Sequence, residues 1–484
     1  MMQDDQQRLE EENRCLREEN ALLHALVAEL LPLKEQVARL QAEVKQLESR
    51  LAKDSHNSHL PPSSDRFRQQ PKSLRKKSGK KPGAQKGHEG TTLFLSQTPD
   101  EVVVHEVGTC WHCRADLREE PILQVERRQV LDVPPKRLIT WEHQAHSKYC
   151  PHCRTIMRAS FPQGVQAPVQ YGPALGAVAI YLVQQQLLPY ERACETIQDV
   201  LGPSMTVGTL KALVERCAEH LLPIEEQIKI ALRQGKLMHQ DETSLTVCGK
   251  RIWMHVACTA CLTHYAVHQN RGRKALDAIG LLNGFAGVSL HDGWASYQGY
   301  DCVHALCNVH HLRDLTFVEE VMGQPWAASM KTLLLDMKEA VHQARALDLA
   351  CLPEDELHRL RARYRTILLE ANLELPEETD TGPPKKGRKK QSPARNLLDR
   401  LMKYEEQVLR FLHDFDVPFD NSQAERDIRM VKVQQKVSGC FRSLPGAQAF
   451  CRIRGYLATL RKQGLPLITA LEQALVGHPL SPAF

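Results

Sequence analysis

The chain has 484 residues, 42% hydrophobic and 25% charged, ordinary values for a soluble protein with material for roughly two to four domains. Its net charge of +5 is only mildly basic, so whole-chain charge does not mark a nucleic-acid binder, although the basic residues come in blocks. No run approaches the ~18 apolar residues of a membrane span and no signal-peptide pattern is visible, so a cytoplasmic location is expected and membrane partners are not.

Residues 1–52 read as a coiled-coil zipper. Leu9, Leu16, Leu23, Leu30, Val37, Val44 and Leu51 recur at intervals of seven. Asn13, Asn20 and Val27 pair with them before Pro32, and Leu40 and Leu47 after it. The register therefore changes at Pro32, where a kink or break is expected. Asparagine at two core positions favours a parallel dimer in one register, and a homodimer or higher oligomer through the zipper is expected. The other reading is an amphipathic helix packed on its own chain. Residues 53–100 form a polar linker carrying Arg75, Lys76, Lys77, Lys80, Lys81 and Lys86 among glycines. Such an arm is too polar for a core and is expected to be flexible. It either tracks DNA phosphates by releasing counterions or merely solubilises the chain, and the one-signed cluster favours the former.

Residues 101–160 hold two CxxC knuckles, Cys110-Trp-His-Cys113 and Cys150-Pro-His-Cys153. Two residues between thiolates let both reach one tetrahedral ion, and two such pairs complete a closed structural Zn²⁺ site. His112 and His152 are substitute ligands, and a redox pair is the rival reading. The 15 cysteines are scattered and odd in number, which in a reducing compartment favours thiols over a disulfide framework. The intervening Val-, Ile- and Thr-rich segment reads as strand, turn at Pro134-Pro135, and strand: a zinc ribbon. Residues 165–232 predict two helices, the second capped by Thr206 or Thr209. They fit a helix-turn-helix DNA reader or a plain bundle equally.

From residue 233 the texture is β-rich: three short strands, a helix near Arg273–Leu282, a strand ending at HDGW, and a strand running into a helix at VHALCNVHHLRDL. This order resembles a ribonuclease-H-like core over residues 233–450, with a helical insertion at about 323–415. The insertion contains PEETDTGPPKKGRKKQSP, expected to be disordered. Asp420 or Asn421 is placed to cap the helix carrying Glu425, and residues 451–484 form a C-terminal helical element. The fold class is multidomain α+β.

Three acidic signatures stand far apart: HQDET at Asp241, HDGW at Asp292 and NSQAER at Glu425. Carboxylates at strand ends and on an adjoining helix meet at one edge of a sheet, and there they hold Mg²⁺ (or Mn²⁺) for chemistry on a phosphodiester. Asp241 is expected to end the first strand. Glu242 ranks lower because a strand turns adjacent residues to opposite faces. Arg429 and Lys432 follow Glu425 on its helical face, placed to clamp DNA phosphates.

These motifs in this order, with the zipper, NSHLPPSSD, GKKPGAQKGHEG, DGWASY, CNVHHLRD and DNSQAERDIR, make the chain resemble the insertion-sequence-66 family of bacterial DDE transposases over nearly its whole length. The resemblance implies a ribonuclease-H-like catalytic domain, Mg²⁺ dependence, double-stranded DNA as partner and DNA strand transfer, with the triad at Asp241, Asp292 and Glu425. It also implies accessory proteins of the same element as possible partners, and a place on the nucleoid. Cys307 and His310 match a Cys-x-x-His signature of several DDE groups, which braces the site or contacts DNA; a metal role stays open, with His311 adjoining. Unaided by the family, Cys307 reads as a core cysteine. The segment after Glu425 departs from the family pattern: VKVQQKVSGCFRS keeps basic character at Lys432, Lys436 and Arg442 but alters the run. Two other classes remain: a non-catalytic DNA-binding regulator on the same scaffold, and a Mg²⁺-dependent nuclease that never joins strands.

Overall fold

The computed structural model describes residues 2–54, 56–58, 95–131, 138–375 and 391–484. The basic cluster from Arg75 to Lys86, the Pro134-Pro135 turn and residues 376–390 of the insertion lie outside them. The chain divides into two units: residues 1–74, 171–197 and 204–484 in one, 75–170 with 198–203 in the other. No helix among the described residues is long and apolar enough to cross a membrane.

Helix α1 spans Met2–Leu51 and runs on through Pro32, so the break expected there does not occur. A proline deletes one amide donor, and the helix-favouring runs on both sides carry the rest of the ladder past it. Leu16, Leu23, Leu30, Val37, Leu40, Val44 and Leu47 are each between 49% and 58% exposed. The apolar stripe is therefore not buried against its own chain.

Among its described residues the smaller unit contains a hairpin, β1 (Ser147–Tyr149) against β2 (Ile156–Arg158). The strand expected on each side of Pro134-Pro135 is absent from described residues 121–131 and 138–146. Ile122, Leu123, Val125, Val130, Ile139 and Trp141 are exposed. Strand propensity is largely the fit of side chains to a partner surface, and here there is none.

In the larger unit, four helices form over 165–234 where the pattern predicts two: α2 (Pro173–Gln184), α3 (Tyr190–Leu201, whose end falls in the smaller unit), α4 (Val207–His220) and α5 (Leu222–Gln234). Leu187, with φ 62°, turns the chain between α2 and α3. Pro223 restarts the helix at α5, where a proline costs no bond. Thr206 caps α4 by accepting the Thr209 N–H.

Next come β3 (Leu237–Val247), β4 (Lys250–Cys258) and β5 (Thr263–His268), an antiparallel meander. Its first turn is Cys248-Gly249, both at positive φ (48° and 74°) as a two-residue type I′ turn requires. Helix α6 (Arg273–Ile279) stops at the left-handed Gly280, short of the Leu282 expected. Strands β6 (Val288–His291) and β7 (Val303–Leu306) then add in parallel beyond β3, giving the order β5-β4-β3-β6-β7.

Strand alternation sorts the two faces. Leu245 and Val247 of β3, with Ile252, Met254 and Val256 of β4, share a core with α13 (Ser422–Ser438) and α14 (Leu444–Lys462) through Ala424, Ile428, Val431, Ala447 and Phe450. Between β7 and α13 the chain makes α7 (Asn308–Glu320), α8 (Pro325–Ala346), α9 (Glu354–Glu374), α10 (Pro393–Lys403), α11 (Glu405–Val408) and α12 (Arg410–His413). These helices have a core of their own around Trp326, Met330, Tyr364, Leu398 and Phe411. Helix α15 (Leu467–Leu475) packs on α2, where a Leu475 methyl fills the space beside Gly176.

Gly287 is where β6 meets β3. A Cβ there would stand 2.6 Å from the carbonyl oxygens of both Gly235 and Lys236, and neither is free to move. Gly287→Ala is expected to destabilise the fold by about 1–3 kcal/mol. Urea unfolding would read the loss, with Gly172→Ala, which meets nothing within 4 Å, as control.

Candidate active site

Parallel pairing of β3 with β6 runs Leu237↔Val288, Met238↔Ser289, His239↔Leu290. Continued two residues, that register sets Asp241 opposite Asp292. Between β6 and β7 it runs to His291↔Leu306, and the Cys307 N–H donates to the His291 carbonyl at 3.0 Å. Asp241, Asp292 and Cys307 therefore form one row at the carboxyl ends of the parallel strands, the edge at which open α/β sheets hold their ligands. Asp241 does not end its strand as expected: β3 continues to Val247 because β4 still pairs with it, and only the parallel neighbour stops.

Asp241 shares parity with Leu245 and faces α13. Asn421 fixes the start of that helix. Its Nδ2 donates to the Gln240 carbonyl (2.7 Å), its Oδ1 meets His239 Nδ1 (3.0 Å), and its backbone N–H donates to Cys307 Sγ (3.2 Å). It stands at the N-cap position without capping by its side chain, while the Asp420 carboxylate accepts the Ser422 N–H. Glu425 follows in the first turn of α13, its Oε1 3.7 Å from His310 Nε2.

The acids feel one another. Burial holds the Asp241 pKa well above the usual carboxylate range, and the charges of Glu242, Asp292 and Glu425 push it the same way. The Glu242 N–H, donating to Asp241 Oδ1 at 2.8 Å, offsets part of this. Hard oxygen donors crowded until one holds its proton suit Mg²⁺ or Mn²⁺, whose charge would relieve the repulsion.

Several supporting residues carry no motif of their own. Glu242 lies on the opposite face, as its parity demands, and is buried. Arg271 donates to it twice (2.8 and 2.6 Å) and the Tyr297 hydroxyl once (2.6 Å). Burial and the Asp292 charge raise its pKa, and those partners lower it. The Arg271 guanidinium also lies 5.0 Å from the Trp253 ring and 4.3 Å from Trp294. Asp292 is oriented by its own turn: it accepts the Trp294 N–H (2.9 Å), and Gly293 bends at φ 87° while donating its N–H to His291 Nδ1 (3.0 Å). That bond makes His291 Nε2 the donor to His304 Nδ1 (3.1 Å), and His304 Nε2 then donates to the Tyr300 carbonyl (3.1 Å). Burial, with His304 adding, pulls the His291 pKa down to about 3, so the relay is neutral. The aromatic run in DGWASY was the one available signal for Trp294 and Tyr297.

Other expected residues fall as follows. Arg429 is exposed. Lys432 does not reach outward for phosphate: seven residues beyond Glu425 it lies against the sheet, its ammonium on the Ser244 carbonyl, and burial beside Arg251 lowers its pKa. Each cysteine knuckle closes on itself. The Cys110 N–H donates to Ala115 O (2.9 Å) and the Cys150 N–H to Thr155 O (2.8 Å), with Arg114 (φ 62°) and Arg154 (φ 53°) left-handed after each second cysteine. Hydrogen bonds lower two of the thiol pKa values, those to Cys110 chiefly from the Cys113 backbone and those to Cys153 chiefly from the Thr155 side chain. Among the described residues three metal-donor groups converge within 4.8 Å at Cys307, His310 and Glu425, not at the knuckles. Burial, with the Glu425 charge, pushes the Cys307 thiol up to about 12.

A family model described as Transposase IS66 family matches residues 168–449, a span that includes all three acids. The chain belongs to the IS66 transposase family. Membership makes it a DNA-processing enzyme that binds DNA. A second model, described as a family of unknown function (DUF6444), matches residues 7–93. No curated protein matches the chain.

The elevated Asp241 pKa fixes a sign for this IS66 transposase. Without metal, the folded state keeps a proton that the unfolded chain loses, so stability falls as pH rises from the ordinary carboxylate range through the raised pKa. Each unit of elevation corresponds to about 1.4 kcal/mol. Melting temperatures across a pH series should show this decline in the wild type, less of it in Asp241→Asn, and its reversal by Mg²⁺.

Proposed function

We propose that the chain is a DDE-type transposase that cleaves DNA at the ends of an insertion element and joins them to target DNA. The observation that carries the reading is the β3–β6 register that sets Asp241 opposite Asp292, with Glu425 in the first turn of α13, the helix packed on β3. The strand order β5-β4-β3-β6-β7, three antiparallel and two parallel, supports a ribonuclease-H-like core under those acids. Helices α8–α12 are then its insertion.

Asp241, Asp292 and Glu425 would hold Mg²⁺ or Mn²⁺, which supplies neutralisation of the phosphodiester charge and activation of the attacking oxygen. The chain's own part is positional. The neutral His291–His304 relay fixes the turn that presents Asp292. Asn421 fixes the start of the helix that presents Glu425. Arg271, held by Glu242, packs its guanidinium on Trp294, two residues after Asp292, and so braces that turn. Water attacks first, and the freed 3′-hydroxyl then attacks target DNA by the same in-line displacement, with no covalent enzyme intermediate. The basic arm from Arg75 to Lys86 and exposed Arg429 contact DNA phosphates, and α2–α5 form the helical DNA-binding segment. Cys110, Cys113, Cys150 and Cys153 would hold a structural Zn²⁺ once the two knuckles, each already turned on itself, are brought together. The exposed α1 stripe pairs with a second copy.

Asp241→Asn, Asp292→Asn and Glu425→Gln are each expected to lower Mg²⁺-dependent end cleavage by roughly 10³-fold or more while gel-shift binding persists. Full cleavage by any one of them removes that residue from the triad. Supplying a pre-nicked end with a target plasmid separates the classes, because a nuclease gives no joined product and a regulator gives neither product. Lysine at Leu16, Leu23 and Leu30 together should convert a dimer to monomer in sedimentation.

A further inference from the structure

We infer that Cys307, His310 and Glu425 form a second metal site, selective for a zinc-class cation, that competes with the catalytic site for Glu425. The donor set is a thiolate, an imidazole and a carboxylate, the mixture that borderline-soft ions take and Mg²⁺ does not. All three donor atoms lie within 4.8 Å of one another, and the imidazole Nε2 is 3.7 Å from the carboxylate oxygen. Tetrahedral bonds of about 2.0–2.3 Å place donors roughly 3.3–3.8 Å apart, so small side-chain rotations complete the site.

The surroundings are arranged for it. Cys307 stands at the N-cap of α7 and Glu425 in the first turn of α13, and because burial keeps the Cys307 thiol protonated without metal, binding has to displace its proton. The Asn421 N–H donates to Cys307 Sγ at 3.2 Å, the kind of outer bond that orients a metal-bound thiolate. The His310 N–H donates to the Cys307 carbonyl at 3.2 Å, which keeps the two side chains on one turn. Three protein ligands leave a fourth position open to water. On binding, a sulfur–metal bond replaces the Cys307 S–H bond, and the proton goes to solvent without change of oxidation state.

Glu425 cannot serve both ions. A zinc-class ion seated on Cys307 and His310 holds it away from Asp241 and Asp292, so Zn²⁺ inhibits Mg²⁺-supported cleavage. The inhibition rests on Glu425 being the third acid of the transposase; the site itself does not.

Cobalt tests the site directly. The full-length chain is titrated with Co²⁺ and followed by thiolate-to-cobalt absorption, the knuckle cysteines contributing equally to every variant. Wild type is expected to take up one equivalent more than Cys307→Ser or Glu425→Gln, each of which loses at least about 100-fold in affinity for that equivalent. Asp241→Asn keeps it. Equal uptake by wild type, Cys307→Ser and Glu425→Gln overturns the site. Loss in Asp241→Asn overturns it too, since the ion would then sit on the acidic triad. Glu425→Gln, an isosteric change at a partly exposed side chain, decides the matter if Cys307→Ser does not fold. Failure of the transposase reading shows separately, as absence of Mg²⁺-dependent cleavage with the cobalt count intact.

Discussion

The parallel register of β3, β6 and β7 is the constraint from which the site follows. Side chains repeat every two residues along a strand, so a one-residue slip would turn Asp241 or Asp292 to the far face. The register is anchored where β6 begins by the Val288 N–H, which donates to the Lys236 carbonyl at 2.7 Å. It is anchored where the strand ends by the Cys307 N–H bond to His291. Between those points four residues of β6 bring two acids about fifty positions apart in the sequence into one row.

Concentrating carboxylates in a partly buried row is costly, and the neighbourhood is built to limit the charge. Both histidines behind Asp292 are neutral, so they orient the turn without adding or cancelling charge. The remaining acid in the HQDET motif, Glu242, is matched on the other face by Arg271 and Tyr297. Asp241, whose pKa is raised by burial and by the charges of its neighbouring acids, has no such cation paired with it among the described residues.

Much of this was legible from residue types. Polar acids inside apolar strands, the parity of Glu242 and the helical run after β7 all leave local patterns. The tethers do not. Asn421 reaches His239 across 182 positions and Arg271 reaches Glu242 across 29, and neither pairing leaves a periodic trace. Local signals also misled where tertiary context decided. The valines and isoleucines near residues 122–141 read as strands but are exposed and form none among the described residues. Lys432 reads as a free cation on the Glu425 face, yet seven residues bring it back against β3. Pro223 divides the second predicted helix into α4 and α5, a break that its helical periodicity does not show.

The helical excursion between β7 and α13 is closed at its base. The Asn308 N–H donates to the Phe419 carbonyl at 3.0 Å, and the Asn308 amide donates to the Val408 carbonyl at 3.0 Å, so the chain departs and returns through one stitched neck. Loop-closure entropy grows only logarithmically with contour length. Extra residues added at an exposed turn of the excursion therefore cost little loop-closure entropy and leave the spacing of the acids below the neck as it is, whereas removing its packed helices would open their shared core.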